Sequence, residues 1–187
     1  MGKVKTCIFI SGNGSNLKNL ILKSRDYNFP IRIKLVITNN RDAYGLYHAK
    51  KNAIPFVCID TKTRYFENQI FYHLKKHNIS LICLAGYMKI ISKKFLINYG
   101  KKIINIHPSL LPKFKGLNTF ERILKNNEKK TGCTVHYVNE RLDNGKNIVQ
   151  KSFFISKNDN IKILKEKTQR LEYKAFSEAI IKIYRYN

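Results

Sequence analysis

The chain is poor in cysteine, poor in acidic residues and free of long apolar runs, and each scarcity removes a class of protein. The 187 residues hold four cysteines, Cys7, Cys58, Cys83 and Cys133, far apart and each inside an apolar, strand-like run. Such spacing builds neither a disulfide framework nor a zinc site; it fits buried free thiols in a reducing, cytoplasmic setting, with no metal expected. No apolar run approaches the ~20 residues that a membrane-crossing helix needs. The N-terminus Met1-Gly2-Lys3-Val4-Lys5 passes straight into a strand-like segment, so neither export nor membrane insertion is expected. Repeats, linkers and low-complexity stretches are absent, and the length suits one domain with a sizeable core.

The shortage of acid is the strongest bias. Asp and Glu number 12 against 36 Lys and Arg, a formal charge of +24. A basic nucleic-acid-binding protein is one reading of that number. The basic residues are scattered, however, with no long block and no DNA- or RNA-binding motif, and the chain is rich in Lys, Ile and Asn, as an A+T-biased coding sequence would make it. A solvated basic surface, attractive to phosphorylated small molecules, accounts for the charge without a specific nucleic-acid partner.

What remains is alternating β and α. Strands are expected at Val4 to Ser11, Ile31 to Thr38, Pro55 to Ile59, Leu81 to Ala85 and Ile103 to Ile106, with Cys133 to Val138 and Asn147 to Ile155 as a hairpin around Asp143-Asn144-Gly145. Helices are expected from Leu17, over Ala43 to Asn52 capped by the loop Asn39 to Asp42, over Tyr65 to His77, after a Ser92 cap through Tyr99, over Thr119 to Asn126, and from about Asn160 to Tyr184. The fold class is α/β: a three-layer, Rossmann-like, mostly parallel sheet with an antiparallel C-terminal part. His73 and His77 lie four apart on one helix, but lysines surround them and no third ligand is evident, so a solvated face is expected.

Two stretches carry chemistry. Ser11-Gly12-Asn13-Gly14-Ser15-Asn16 joins the first strand to a helix, and such a glycine-rich turn lets helix N-terminal amides hold a phosphate. It is neither GxGxxG nor a P-loop, so neither a dinucleotide nor ATP is implied. The second stretch is Ile103-Ile104-Asn105-Ile106-His107-Pro108-Ser109-Leu110-Leu111-Pro112, a buried strand ending in an amide, an imidazole and a proline. Pro108 ends the strand, which puts His107 at its carboxyl end, where open α/β sheets bind ligands. Taken singly, His107 fits a structural histidine, Asp143 a turn residue and Asn105 a loop-bonding amide.

In order along the chain, Ser11-Gly12-Asn13-Gly14-Ser15-Asn16-Leu17, Leu84-Ala85-Gly86-Tyr87-Met88, Asn105-Ile106-His107-Pro108-Ser109-Leu110-Leu111-Pro112 and Leu142-Asp143-Asn144-Gly145 closely resemble the folate-dependent formyltransferases, in the phosphoribosylglycinamide branch. The resemblance implies transfer of a formyl group from 10-formyltetrahydrofolate to the amine of glycinamide ribonucleotide in de novo purine biosynthesis. It implies Asn105, His107 and Asp143 as the catalytic set, with His136 behind them. Asn105 and His107 would stabilise the oxyanion, and Asp143 would support the imidazolium. It further implies Gly12, Asn13, Gly14, Ser15 and Asn16 for the substrate phosphate and Glu172 for its ribose. Arg64, Met88, Lys89, Ile90, Ile91 and Asn105 are implied for folate. The N-terminal half, about 1–100, would hold the phosphate, and the C-terminal half, about 101–187, the catalytic residues and folate cleft.

This chain departs from the pattern at Lys89, where an arginine is common; at Lys115 and Asn118, in place of Pro and His; and at Asn144, in place of the first of two glycines. Asn144 is expected to serve because asparagine can adopt left-handed backbone. A formyltetrahydrofolate hydrolase shares the Asn, His and Asp set, but its N-terminal regulatory domain is not expected ahead of Val4. Methionyl-tRNA formyltransferase shares the HPSLLP run, but its C-terminal tRNA-binding domain is not expected here.

Overall fold

A computed structural model describes residues 2–185, which fall into two compact units, the first running to Ile104 and the second beginning at Asn105. In the first unit strands and helices alternate: β1 Val4–Ile10, α1 Ser15–Ser24, β2 Ile31–Thr38, α2 Gly45–Lys51, β3 Phe56–Cys58, α3 Phe66–Lys76, β4 Leu81–Leu84 and α4 Lys93–Tyr99. The sheet order there is β3-β2-β1-β4, every pair parallel. β1 lies between β2 and β4, and Cys7, Ile8, Phe9 and Ile10 are all fully buried. That is why its second half, Cys7 to Ile10, reads as an unbroken apolar run: a parallel strand is covered on both faces and has no polar side to show.

β5, Lys102–His107, crosses the boundary into the second unit, which continues with α5 Thr119–Lys125, β6 Lys130–Tyr137, β7 Asn147–Phe154 and α6 Ile161–Arg185. β6 follows β5 in the sheet and pairs antiparallel with β7, as the Asp143-Asn144-Gly145 turn predicts. α6 packs on both β6 and β7, burying Leu164, Ala175, Ala179 and Ile183 of its apolar stripe. Leu171 is only half-buried, and Thr168 takes the buried place one turn before it.

The α/β architecture with a parallel core and an antiparallel C-terminal part therefore stands, with element ends shifted by up to three residues, the most at the start of β6. One expectation fails. The loop Asn39 to Asp42 does not cap α2, whose N-cap is Tyr44 with no side-chain cap bond. Its polar groups are used elsewhere: Asn39 Oδ1 accepts from Ser11 Oγ, and Asn40 Oδ1 accepts from the Asp42 N–H. The start of α2 is held by a main-chain bond, Gly45 N–H to Gly12 O at 3.0 Å.

The four cysteines are free, three buried and Cys58 half-buried. Among the described residues no helix is long and apolar enough to cross a membrane.

Gly132 tests how tightly the hairpin is closed. A Cβ there would lie 1.8 Å from the Lys151 carbonyl oxygen. Gly132→Ala should cost roughly 1–3 kcal/mol or more, read as a lower urea midpoint. An unchanged midpoint would mean that the strands part there at no cost.

Candidate active site

β5 is apolar through Ile103 and Ile104, and it delivers Asn105 and His107 at its carboxyl end, as Pro108 requires. Both point to a cluster in the second unit that also contains His136, from β6, and Asp143, from the β6–β7 turn. His107, His136 and Asp143 are 6%, 2% and 8% exposed, so each charge or proton in the cluster is felt at low dielectric.

The hydrogen bonds fix which nitrogen holds which proton. His107 Nε2 is 2.8 Å from the Phe114 carbonyl, which can only accept, so Nε2 carries a hydrogen. Nδ1 is 3.2 Å from Asp143 Oδ2. A proton that charges the ring therefore lands on Nδ1, against the carboxylate. His136 Nδ1 similarly donates to the Tyr137 carbonyl at 2.8 Å, leaving Nε2 to face Asn105 Nδ2 at 3.2 Å and Asp143 Oδ1 at 3.6 Å.

Asp143 accepts from the Gly116 N–H at 2.8 Å and from Asn105 Nδ2 at 3.4 Å, and from the His107 ring when that ring is charged. Burial alone would raise its carboxyl, but the His136 ring, the Gly116 amide and the charge of His107 together hold it below the usual carboxylate range. Burial pulls His107 below the ordinary imidazole value, while Asp143 and the Phe114 carbonyl pull the other way, and burial prevails.

The Asp143 backbone is left-handed, φ 46°, whereas Asn144 is not among the positive-φ residues. The expected role of Asn144 is thus corrected: Asp143, the residue before it, takes the left-handed conformation. The glycine that matters is Gly145, where a Cβ would lie 1.7 Å from the Tyr137 carbonyl oxygen. Asn144 instead accepts a hydrogen bond from Lys115 Nζ, which joins two of the departures from the family pattern. Asn118, another of them, is the left-handed N-cap of α5, φ 54°.

Sequence reasoning missed the residues that bolt the loop after β5 in place. Thr134 Oγ1 donates to the Ser109 carbonyl at 2.7 Å and accepts from the Leu111 N–H at 3.0 Å, and Gln150 Nε2 donates to the Leu111 carbonyl at 2.8 Å. A buried threonine in an apolar strand and a lone glutamine in its partner were the only signals.

In the first unit the glycine loop lies between β1 and α1. Gly14 is left-handed, φ +68°, and a Cβ there would meet Gly45 Cα at 2.5 Å; Gly12 faces open space. Gly14 is therefore the glycine required for packing. α1 starts with no side-chain cap and no acidic residue in its first turn, so amides at Ser15 and Asn16 are suited to an anion. Ser11 gathers the neighbouring loops: its N–H donates to the Gly86 carbonyl, and its Oγ donates to Asn39 Oδ1 and accepts from the Met88 N–H at 2.8 Å. It thereby holds Met88 to Ile91, in which Met88 and Ile90 are 70% and 73% exposed and Lys89 is also exposed.

Arg64 is exposed before α3, its guanidinium 5.8 Å from the Tyr65 ring centre. Glu172, half-buried on α6, is near enough to Cys133 to add to the effect of burial, which together push that thiol up to about 12. Among the described residues no group of three or more His, Cys, Asp and Glu side chains could hold a metal ion.

The sequence model of the formyl transferase family matches residues 4–180. The phosphoribosylglycinamide formyltransferase of Haemophilus influenzae is 39% identical over 178 residues, covering 92% of this chain and 83% of that protein. The human trifunctional purine biosynthetic protein adenosine-3 is 38% identical over 182 residues, covering 95% of this chain but only 18% of that much longer protein. A crystal structure of phosphoribosylglycinamide formyltransferase from Bacillus halodurans superposes with a TM-score of 0.91 at 34% identity, covering 96% of this chain and 94% of that one.

Burial of His107 has a measurable consequence. Its folded value lies below the ordinary ~6.5, so on acidification the unfolded chain takes up the proton first and stability falls from about pH 6.5 down to the folded value. Asp143 adds a second loss at lower pH, below about 3.9. In His107→Gln the slope just below pH 6.5 should shrink, as measured by urea denaturation at stepped pH. His48, His73 and His77 titrate in both proteins and cancel. An unchanged slope would show that His107 does not titrate abnormally.

Proposed function

The chain belongs to the formyl transferase family, and from that premise we infer that it formylates the amine of glycinamide ribonucleotide in de novo purine biosynthesis. The donor in this reading is 10-formyltetrahydrofolate. The observation that carries the reading is the set Asn105, His107 and Asp143 at the carboxyl end of β5, with His107 and Asp143 buried and both Asn105 Nδ2 and His107 Nδ1 against the carboxylate.

The reaction needs little beyond that set. The amine nitrogen attacks the formyl carbon, the carbonyl electrons move onto oxygen, and collapse of the tetrahedral intermediate breaks the bond to the folate nitrogen. One proton leaves the amine and one reaches the folate nitrogen. Asn105 Nδ2 donates to the oxyanion, giving up its long 3.4 Å contact with Asp143. A charged His107 stabilises the same oxygen, and Asp143 lies against Nδ1, the position from which the ring gains or gives its second proton.

For binding, Gly12, Asn13, Gly14, Ser15 and Asn16 hold the substrate phosphate and Glu172 the ribose. Arg64, Met88, Lys89, Ile90 and Ile91, with Asn105, contact folate. The uncapped start of α1 supports the first assignment, and the exposed apolar side chains of Met88 and Ile90 support the second. Lys89 offers folate a point charge where an arginine would offer a fork. Both compact units belong to a single formyltransferase domain, 1–187, a reading supported by a family match that runs through both. We assign the reaction to the cytoplasm, consistent with four free thiols.

Purified protein given 10-formyltetrahydrofolate should lose formyl rapidly only when glycinamide ribonucleotide is present. Equal loss without the ribonucleotide would make it a hydrolase. His107→Ala should slow transfer by roughly 100-fold or more, and near-normal turnover would remove His107 from the chemistry.

A further inference from the structure

The loop from Lys113 to Asn118 touches both reacting partners through its main chain. The Phe114 carbonyl takes the Nε2 proton of His107 at 2.8 Å, and the Gly116 N–H donates to Asp143 Oδ2, also at 2.8 Å. The orientation of ring and carboxylate therefore depends on where this short loop sits. Phe114 is left-handed, φ 56°, and Gly116 has φ +78°, so the loop is in a conformation that a free chain seldom adopts. Something has to hold it there.

One side chain makes three contacts with it. Arg122, on the last turn of α5, donates from Nη1 to the Lys115 carbonyl at 2.6 Å and to the Leu117 carbonyl at 3.4 Å. Its guanidinium also lies 5.6 Å from the centre of the Phe114 ring. Residues 114, 115 and 117 are thus clamped by one planar group, on either side of the glycine whose amide binds Asp143.

We propose that Arg122 is a positioning residue for formyl transfer, fastening the Phe114–Leu117 loop so that His107 and Asp143 keep their reactive orientation. The proposal rests on the catalytic roles assigned above. Arg122 itself is exposed and touches neither reacting group by hydrogen bond. The competing account is that a cation on the last turn of a helix merely favours its dipole. Lys125 is on the same turn and is equally exposed, and it supplies the control.

Arg122→Met keeps the apolar stem and removes the fork. It should lower kcat by about 10-fold with both KM values within about two-fold, since a displacement of ångström size at the reacting groups acts on the transition state. Arg122→Lys, which keeps one donor and the charge over Phe114, should recover part of the loss, and Lys125→Met should change nothing. A second readout does not need turnover: long-range 1H–15N spectra of His107 should show hydrogen fixed on Nε2 in the parent and exchange between tautomers in Arg122→Met. An unchanged kcat, an equal loss in Lys125→Met, or a His107 spectrum unaltered by Arg122→Met would each overturn the proposal. If the parent protein transfers no formyl group but the tautomer is still lost in Arg122→Met, the assigned reaction fails and the positioning role stands.

Discussion

The second unit is arranged to keep one buried carboxylate ionised and well supplied with donors. Asp143 comes from the β6–β7 turn, yet its partners arrive from β5, from β6 and from the loop ahead of α5. A carboxylate taken out of water without such partners would cost several kcal/mol or take up a proton. The surrounding backbone accommodates it. Asp143 accepts left-handed backbone, an order of 1–3 kcal/mol of strain, and Gly145 lets the chain pass close against Tyr137. Without those two local compromises the carboxylate would not reach His107.

That carboxylate also bears on the charge of a buried histidine. A buried imidazole prefers to be neutral, and alone it would be a poor source of charge near pH 7. Here each ring nitrogen faces an acceptor, so a proton that does arrive is held on both sides. Burial and partners work against each other, and because burial prevails the ring gives up its second proton more readily than a free imidazole.

The fold, and the strand end that brings Asn105 and His107 to Asp143, were legible from the sequence because each left a local signature. β1 carries the apolar run Cys7 to Ile10, β5 begins with Ile103 and Ile104, α6 buries Leu164, Ala175, Ala179 and Ile183 along one face, and Pro108 marks the end of β5. What stayed hidden depends on contacts distant in sequence. Ser11 gathers loops after three strands, Thr134 and Gln150 hold the loop after β5, and Asn39 turns to Ser11 instead of capping α2. None of these has a periodicity or a turn preference to announce it. The left-handed residue was assigned to Asn144 on propensity, but propensity gave way to the demand that Asp143 face inward.

Two of the departures from the family pattern, Asn144 and Lys115, make sense together. Glycine after the aspartate would leave the turn loose, and an asparagine there restricts it while adding an acceptor. Lys115, in the facing loop, is the donor that uses that acceptor. The bond links the two segments that Gly116 and Asp143 already join through a main-chain amide. Asn139 Nδ2 fastens the same turn from within by donating to the Asn144 carbonyl at 3.2 Å. A site that exchanged backbone freedom for side-chain contacts would rest more heavily on the loop's own attachment, and Arg122, clamping that loop at two carbonyls and a ring, is where that dependence ends.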